Sequence, residues 1–289
     1  MAAQAKVNLL LRVIAREASG FHQLETLFLR LDLSDGITVR RTLGTRSLDV
    51  RGDVDLSHLG DQEHNLAWRA AEAYLQASGQ GGGFSIEIEK HIPIGGGLGG
   101  GSADAGAVLR ALDLLADEPL GLAPLLRIGA ALGADVPFLT GESAYALAWG
   151  RGERMLALVP PPQATVLLVV PPFGVNTAAA YGWLDEARGS RGDTTEPCIL
   201  DSTRLSDWSY LQSVAVNDFE PVVSARHKDI NRAVATLRND LGLALVMLSG
   251  SGSAVFGIMP RTGAGSVGTQ PPTLRTATAT RVEPVVLID

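Results

Sequence analysis

Pro93-Ile94-Gly95-Gly96-Gly97-Leu98-Gly99-Gly100-Gly101-Ser102-Ala103-Asp104-Ala105 holds six glycines in thirteen positions and constrains the chain more than any other stretch. Glycine tolerates positive φ and lets the backbone approach a ligand closely. Successive glycines can aim several N–H groups at one point and make an anion-binding nest. The flanks are ordered. Phe84, Ile86 and Ile88 alternate with polar residues, which predicts a strand. Ala105, Val108, Leu109 and Leu112 fall at i, i+3, i+4 and i+7, which predicts a helix with Ser102 as its cap. Strand, glycine loop and helix N-terminus in that order suit a phosphate. A flexible linker is the alternative reading. The loop lacks the Gly-Lys-Ser/Thr ending of a Walker A sequence and fits a dinucleotide fingerprint poorly.

Elsewhere the pattern predicts a strand over 5–14, with Lys6 and Asn8 on its polar face, either solvated or lining a site. Two further strands, 26–33 and 37–50, are expected around an Asp35-Gly36 turn. Helices are expected over 65–77, from 122 to Gly133, over 177–187 and from about Asn217 to Asn239. Asn217 and Glu220 carry the spacing of a capping box. Residues 243–248, Ser249-Gly250-Ser251-Gly252 and 254–258 read as strand, turn, strand. Residues 261–281 are rich in Thr, Gly, Pro and Ala and are expected to be poorly ordered, with 285–288 a last strand. Pro160-Pro161-Pro162 is the best boundary, giving domains 1–159 and 160–289.

Composition narrows the function. A formal net charge of −7 over 289 residues argues against general nucleic-acid binding. Cys198, the only cysteine, excludes an internal disulfide and fits a reducing compartment. No apolar run is long enough for a bilayer and no signal peptide is evident, so a cytoplasmic protein without a membrane partner is expected. The lysines are only Lys6, Lys90 and Lys228, and the first two lie on the strand expected over 5–14 and just before the glycine loop.

Three motifs, Ala5-Lys6-Val7-Asn8-Leu9, residues 93–105 and Ser249-Gly250-Ser251-Gly252, resemble in content and order those of the GHMP kinases, the superfamily of galactokinase, homoserine, mevalonate and phosphomevalonate kinases. Gly20-Phe21-His22-Gln23-Leu24-Glu25-Thr26-Leu27, residues 132–137 and residues 217–222 resemble more closely its 4-diphosphocytidyl-2-C-methyl-D-erythritol kinase branch. The resemblance implies an α+β fold of two domains, one like ribosomal protein S5 and one ferredoxin-like. It implies a kinase acting on the 2-hydroxyl of that cytidine-bearing alcohol in the non-mevalonate route to isoprenoids, with ATP and Mg2+ as cofactors. By the same resemblance Asp135 is the catalytic base and Lys6 the catalytic lysine. ATP falls to Asn65, Lys90, Pro93, Gly95, Gly96, Gly97, Leu98, Gly99, Gly100, Gly101 and Ser102, with Ser102 the one protein candidate for the metal. The acceptor falls to Asn8, Phe21, His22, Thr177 and Tyr181, Phe21 and Tyr181 sandwiching the cytosine while His22 reads its edge. Read singly, Asp135 is more simply a turn or cap, His22 an ordinary histidine, and Phe21 and Tyr181 core residues. The departures are Phe21 where the family has tyrosine, Ala103 where it has a second serine, and a tail that does not look helical. A GHMP kinase for another alcohol, or a non-catalytic nucleotide-binding homologue, are the competing readings.

Overall fold

A computed structural model describes residues 1–57, 59–189, 199–260 and 273–282. Two β-sheets carry the chain. The first begins with β1 (Ala2–Arg16) and β2 (His22–Thr42), antiparallel neighbours whose register runs from Ala2 opposite Gly36 to Arg16 opposite His22. No turn forms at Asp35-Gly36. Both residues lie inside the single strand β2, because Asp35 is buried and held by partners described below. The far edge of β2 is shared: its later half pairs with β4 (Gly83–Lys90), its earlier half with β5 (Tyr145–Gly150). β3 (Arg46–Gly52) lies parallel to β4, and β6 (Arg154–Ala157) closes a hairpin on β5.

Helices α1 (Leu66–Ser78), α2 (Gly100–Leu114), α3 (Leu122–Leu132) and the short α4 (Val136–Thr140) cover one face of this sheet. Small residues set the spacing. Ala67, Ala70 and Ala71 of α1 and Ala103, Ala105 and Ala107 of α2 are all buried in one apolar cluster. At Gly106 an added Cβ would lie 2.7 Å from the Leu139 carbonyl carbon, so only glycine lets α2 sit this close to α4.

The second sheet starts with β7 (Ala164–Val169), just past the proline run. Then follow α5 (Thr177–Gly189), α6 (Trp208–Val214), the two-residue β8 (Val216–Asn217), α7 (Phe219–Ser224), α8 (Lys228–Ala235) and a π-helical turn, Thr236–Asp240. The helix expected over 217–239 is thus broken once, at 225–227, and α8 runs on directly into the π-helical turn. Asn217 bonds forward as expected, its Oδ1 accepting from Phe219 N at 2.9 Å, but it lies in β8 and the N-cap of α7 is Asp218. Glu220 does not reach back: its carboxylate accepts from Leu248 N at 2.8 Å, tying α7 to the second sheet instead. The hairpin β9 (Leu245–Leu248) and β10 (Val255–Pro260) forms as expected, β10 pairing with β7 as well.

The tail departs from expectation. β11 (Thr273–Ala277) pairs with the free edge of β7, and Thr278 then bridges to Leu31 of the first sheet. Threonine suits such an edge strand. Thr276 and Thr278 also accept, through their hydroxyls, from Leu33 N and Ala164 N at 3.0 Å each. Residues 261–272 and the strand expected over 285–288 lie outside the described residues. The two sheets are not independent: the first takes its edge strand β8, paired with β1, from the chain between α6 and α7, and one apolar cluster joins Val7, Leu9 and Leu29 to Val166, Leu168 and Phe256. No described helix is long and apolar enough to cross a membrane.

Candidate active site

The glycine loop leaves β4 and enters α2. Gly95, Gly97 and Gly99 take φ of +74°, +75° and +75°. Gly99, not Ser102, is the N-cap, and no side chain caps the helix. Ser102 lies inside the first turn, because Gly100 and Gly101 are already helical. The first-turn N–H groups therefore lack side-chain partners and, with the helix dipole, face whatever the loop encloses. That space is a recess of about 200 Å³ lined by residues 93–101 with Asn65, Lys90 and Asp104. Gly97 is the tightest position: a Cβ there would sit 2.1 Å from Ser249 O.

Lys6 and Asn8 are not solvated; each is 2% exposed. Lys6 Nζ donates to Asn8 Oδ1 at 2.8 Å and to Gly97 O at 3.0 Å, and pairs with Asp135 Oδ2 at 3.1 Å. Its own backbone N–H holds the loop through Leu98 O at 2.9 Å. Asn8 is fixed in turn, since Asn8 Nδ2 donates to Thr26 Oγ1 and Thr26 Oγ1 donates to Leu10 O. Asp135 stands at the start of α4 but caps nothing. Its side chain is 30% exposed, so the carboxylate faces both the buried ammonium and the open cleft. From the second sheet Ser249 Oγ donates to the same Gly97 O at 2.9 Å, and Ala254 N donates to Gly96 O at 3.0 Å. Asn217 Nδ2 braces this late turn by donating to Leu248 O and Gly250 O at 2.8 Å each.

Lys90 lies under the loop, 3% exposed, between the carboxylates of Asp35 and Asp104, with Asp104 Oδ2 at 2.8 Å. Asp35 Oδ1 also accepts from His91 N and Ile92 N at 2.6 and 2.8 Å. One ammonium cannot balance two buried carboxylates. Burial, with the Asp35 charge, outweighs the pull of Lys90 and pushes the Asp104 carboxyl up to about 7, while the two carboxylates raise the Lys90 ammonium despite its burial. Asn65 caps α1, accepting from Ala67 N at 2.9 Å, with its residue on the rim of the recess.

The aromatic residues form a second group, within reach of the Asp135 charge: burial, then Asp135 and Asp185, push the Tyr181 hydroxyl up. His22 stacks on Tyr181 with centroids 4.3 Å apart and 16° between the planes, and shares a hydrogen bond of 2.9 Å with Asp185. The imidazole therefore lies against a face of Tyr181 that was expected to take a base. Phe21 is 57% exposed beside a recess of about 860 Å³ whose lining includes Gly133, Ala134, Pro137 and Trp149. Thr177 Oγ1 shares a hydrogen bond of 2.9 Å with Ser251 Oγ.

This geometry can be set beside known proteins. The family model described as GHMP kinases N terminal domain matches residues 65–142. The 4-diphosphocytidyl-2-C-methyl-D-erythritol kinase of Citrifermentans bemidjiense is 36% identical over 256 residues, which cover 89% of this chain and 88% of that one. The protein of the same name from Anaeromyxobacter sp. (strain K) is 40% identical over 264 residues, covering 91% and 81%. The chain belongs to the 4-diphosphocytidyl-2-C-methyl-D-erythritol kinase family. A crystal structure of 4-(cytidine 5'-diphospho)-2C-methyl-D-erythritol kinase superposes with a TM-score of 0.71 at 35% identity, covering 89% of each chain. The L. major mevalonate kinase shares the fold alone, with a TM-score of 0.61 at 14% identity over 90% of this chain and 87% of that one.

In this member of the family several site residues carried no clear sequence signal. Asp35 hides in a strand and looked like a turn residue. Thr26 matters only through Asn8. Asp104 sits within the glycine motif but gives no hint that it faces Lys90. Asp185 could have been found, since it follows Tyr181 by four residues on α5 and so shares its helix face.

Proposed function

We propose that this chain transfers the γ-phosphoryl group of ATP to the 2-hydroxyl of 4-diphosphocytidyl-2-C-methyl-D-erythritol. One observation carries the reading: a buried lysine, Lys6, bridges the Asp135 carboxylate and the carbonyl of Gly97 in the phosphate loop. The nest and the α2 N-terminus would hold the nucleotide phosphates. Asp135 would accept the hydroxyl proton as the oxygen–phosphorus bond forms and the bond to ADP breaks. Lys6 would offset the charge that gathers on the transferred group, in a position that costs no rearrangement. Asn8 and Thr26 fix Lys6 and suit a role close to the acceptor. Phe21, His22, Thr177 and Tyr181 supply the rings and polar groups that a cytidine would need.

No group of three or more His, Cys, Asp or Glu side chains able to hold a metal occurs among the described residues. A magnesium ion arriving with ATP would keep most of its waters and take few protein ligands. Ser102 in the first turn of α2 would be its protein contact; Asp104, two residues on, lines the recess of the glycine loop and has an Oδ1 with no hydrogen-bond partner among the described residues. When bound, the ion neutralises phosphate charge. The acidic net charge and the lone cysteine suit a cytoplasmic enzyme of small molecules rather than of nucleic acid.

The test is ADP release from Mg-ATP with a panel of acceptors. The cytidine-bearing alcohol is expected to turn over while mevalonate and homoserine stay inert. Equal turnover of mevalonate would remove the specific assignment and leave a GHMP kinase of another alcohol. No ADP release with any acceptor would favour a non-catalytic nucleotide-binding protein.

A further inference from the structure

Phe21 is a large exposed apolar side chain with no polar atom by which to be fixed. Its backbone is held: Glu17 N donates to Phe21 O at 2.7 Å, and Gly20 N donates to Glu17 O at 2.9 Å. Its ring has one partner of note. The Arg151 guanidinium lies 4.2 Å from the ring centroid, within cation–π range. Arg151 is not placed there by chance packing. It sits between Gly150 and Gly152, at φ of +75° and +102°, in the turn that joins β5 to β6. At Gly152 a Cβ would lie 2.6 Å from Ala134 O, so this turn rests directly against the residue before Asp135. Arg151 N donates to Glu153 Oε2 at 2.6 Å, and the guanidinium is pinned by the Glu17 carboxylate and by Ser19 Oγ at 3.3 Å. Ser19 in turn donates to Glu17 at 2.9 Å. The hydrogen bond from Arg151 holds the Glu17 carboxyl below its usual range.

We propose that Arg151 is a positioning residue for the acceptor: it covers one face of Phe21 and holds the ring ready so that the other face can stack on the base. This rests on the function proposed above. A free phenyl side chain loses rotamer freedom when a ligand orders it, and a ring already held loses less. The gain falls on acceptor binding alone. The hydrogen bonds, ion pair and ring contact that Arg151 makes among the described residues go to Glu17, Ser19, Glu153 and Phe21, none of them in the glycine loop or the Lys6–Asp135 pair, so ATP binding and the chemical step are expected to be left unchanged. Glu17 and Ser19 serve the same end by fixing the guanidinium.

The experiment is steady-state kinetics on the full chain with the cytidine-bearing alcohol and Mg-ATP, for wild type, Arg151→Met, Phe21→Tyr and the double variant. Arg151→Met keeps a long apolar side chain and removes the cation. The acceptor KM is expected to rise roughly three- to tenfold in Arg151→Met, the scale of a partly exposed cation–π contact. Its kcat and ATP KM should stay within about twofold of wild type. In the Phe21→Tyr background, where a hydroxyl offers the ring another anchor, the same change should cost less than about twofold. An unchanged acceptor KM in Arg151→Met overturns the proposal. A loss equal in both backgrounds overturns it too, since Arg151 would then act on the acceptor directly and not through Phe21. If wild type itself fails to phosphorylate this acceptor, the proposed function falls first, which keeps the two failures apart.

Discussion

Lys6 makes three polar contacts at once, so its removal should be felt in rate more than in affinity. Lys6→Ala and Asp135→Asn are each expected to lower kcat on the order of a hundredfold or more with little change in KM. Because the two groups touch at 3.1 Å, the double variant should lose less than the product of the singles. Near-wild-type kcat in a folded Asp135→Asn variant would end its assignment as the base. Asp104 gives a different signature. Its folded-state carboxyl is raised to about 7 from 3.8, chiefly by burial, so between those values the native protein holds a proton that the unfolded chain has released. Stability from that proton is complete below 3.8 and is lost as pH rises through about 7. Thermal melts from pH 5 to 8 should therefore show Tm falling by roughly 5 °C as this group deprotonates. Asp104→Asn, neutral throughout, should flatten that part of the slope. A variant with the wild-type slope would assign the pH dependence to other groups.

At the scale of elements the glycine loop is a wedge between two sheets, and its glycines differ in what they tolerate. Gly97→Ala would strain a φ of +75° and force a Cβ to within 2.1 Å of Ser249 O. It is expected to lower Tm by more than about 5 °C and to weaken ATP binding measured by calorimetry. Gly79→Ala, at φ +64° with open space around it, isolates the backbone cost and should lose only about 1 kcal/mol. Equal melting losses in the two would mean that Gly97 is not tied to the second sheet. The strand, loop and helix around this wedge were legible because each is written in local periodicity. The turn expected at Asp35-Gly36 does not form, since a buried carboxylate inside a strand depends on Lys90, more than fifty residues away. The helix expected over 217–239 failed for a related reason: Glu220 satisfies Leu248 N rather than its own helix. Lys6, Asp135 and the loop could be named from motifs, but the lean of His22 on Tyr181 and of Arg151 on Phe21 is tertiary and left no trace in spacing.

For the whole molecule, β11 is the element whose loss should tell most. It pairs along β7, and the residues after it join Ala164 of the second sheet to Leu31 and Arg30 of the first. Ending the chain after Pro260 is therefore expected to lower Tm by on the order of 5–10 °C, read by calorimetry, where composition alone suggests a poorly ordered tail. An unchanged melt would show that the second sheet does not need its fourth strand. Gly97 O has a wider meaning. Lys6, the glycine loop and Asp135 all precede the first strand of the second sheet, which begins at Ala164. Yet the carbonyl that steadies Lys6 is itself steadied by Ser249, and the loop is stapled by Ala254. A nascent chain, or one clipped between the sheets, holds the reagents without their alignment. Such a fragment is expected to release no ADP, because the contacts that steady Gly96 and Gly97 come from the second sheet.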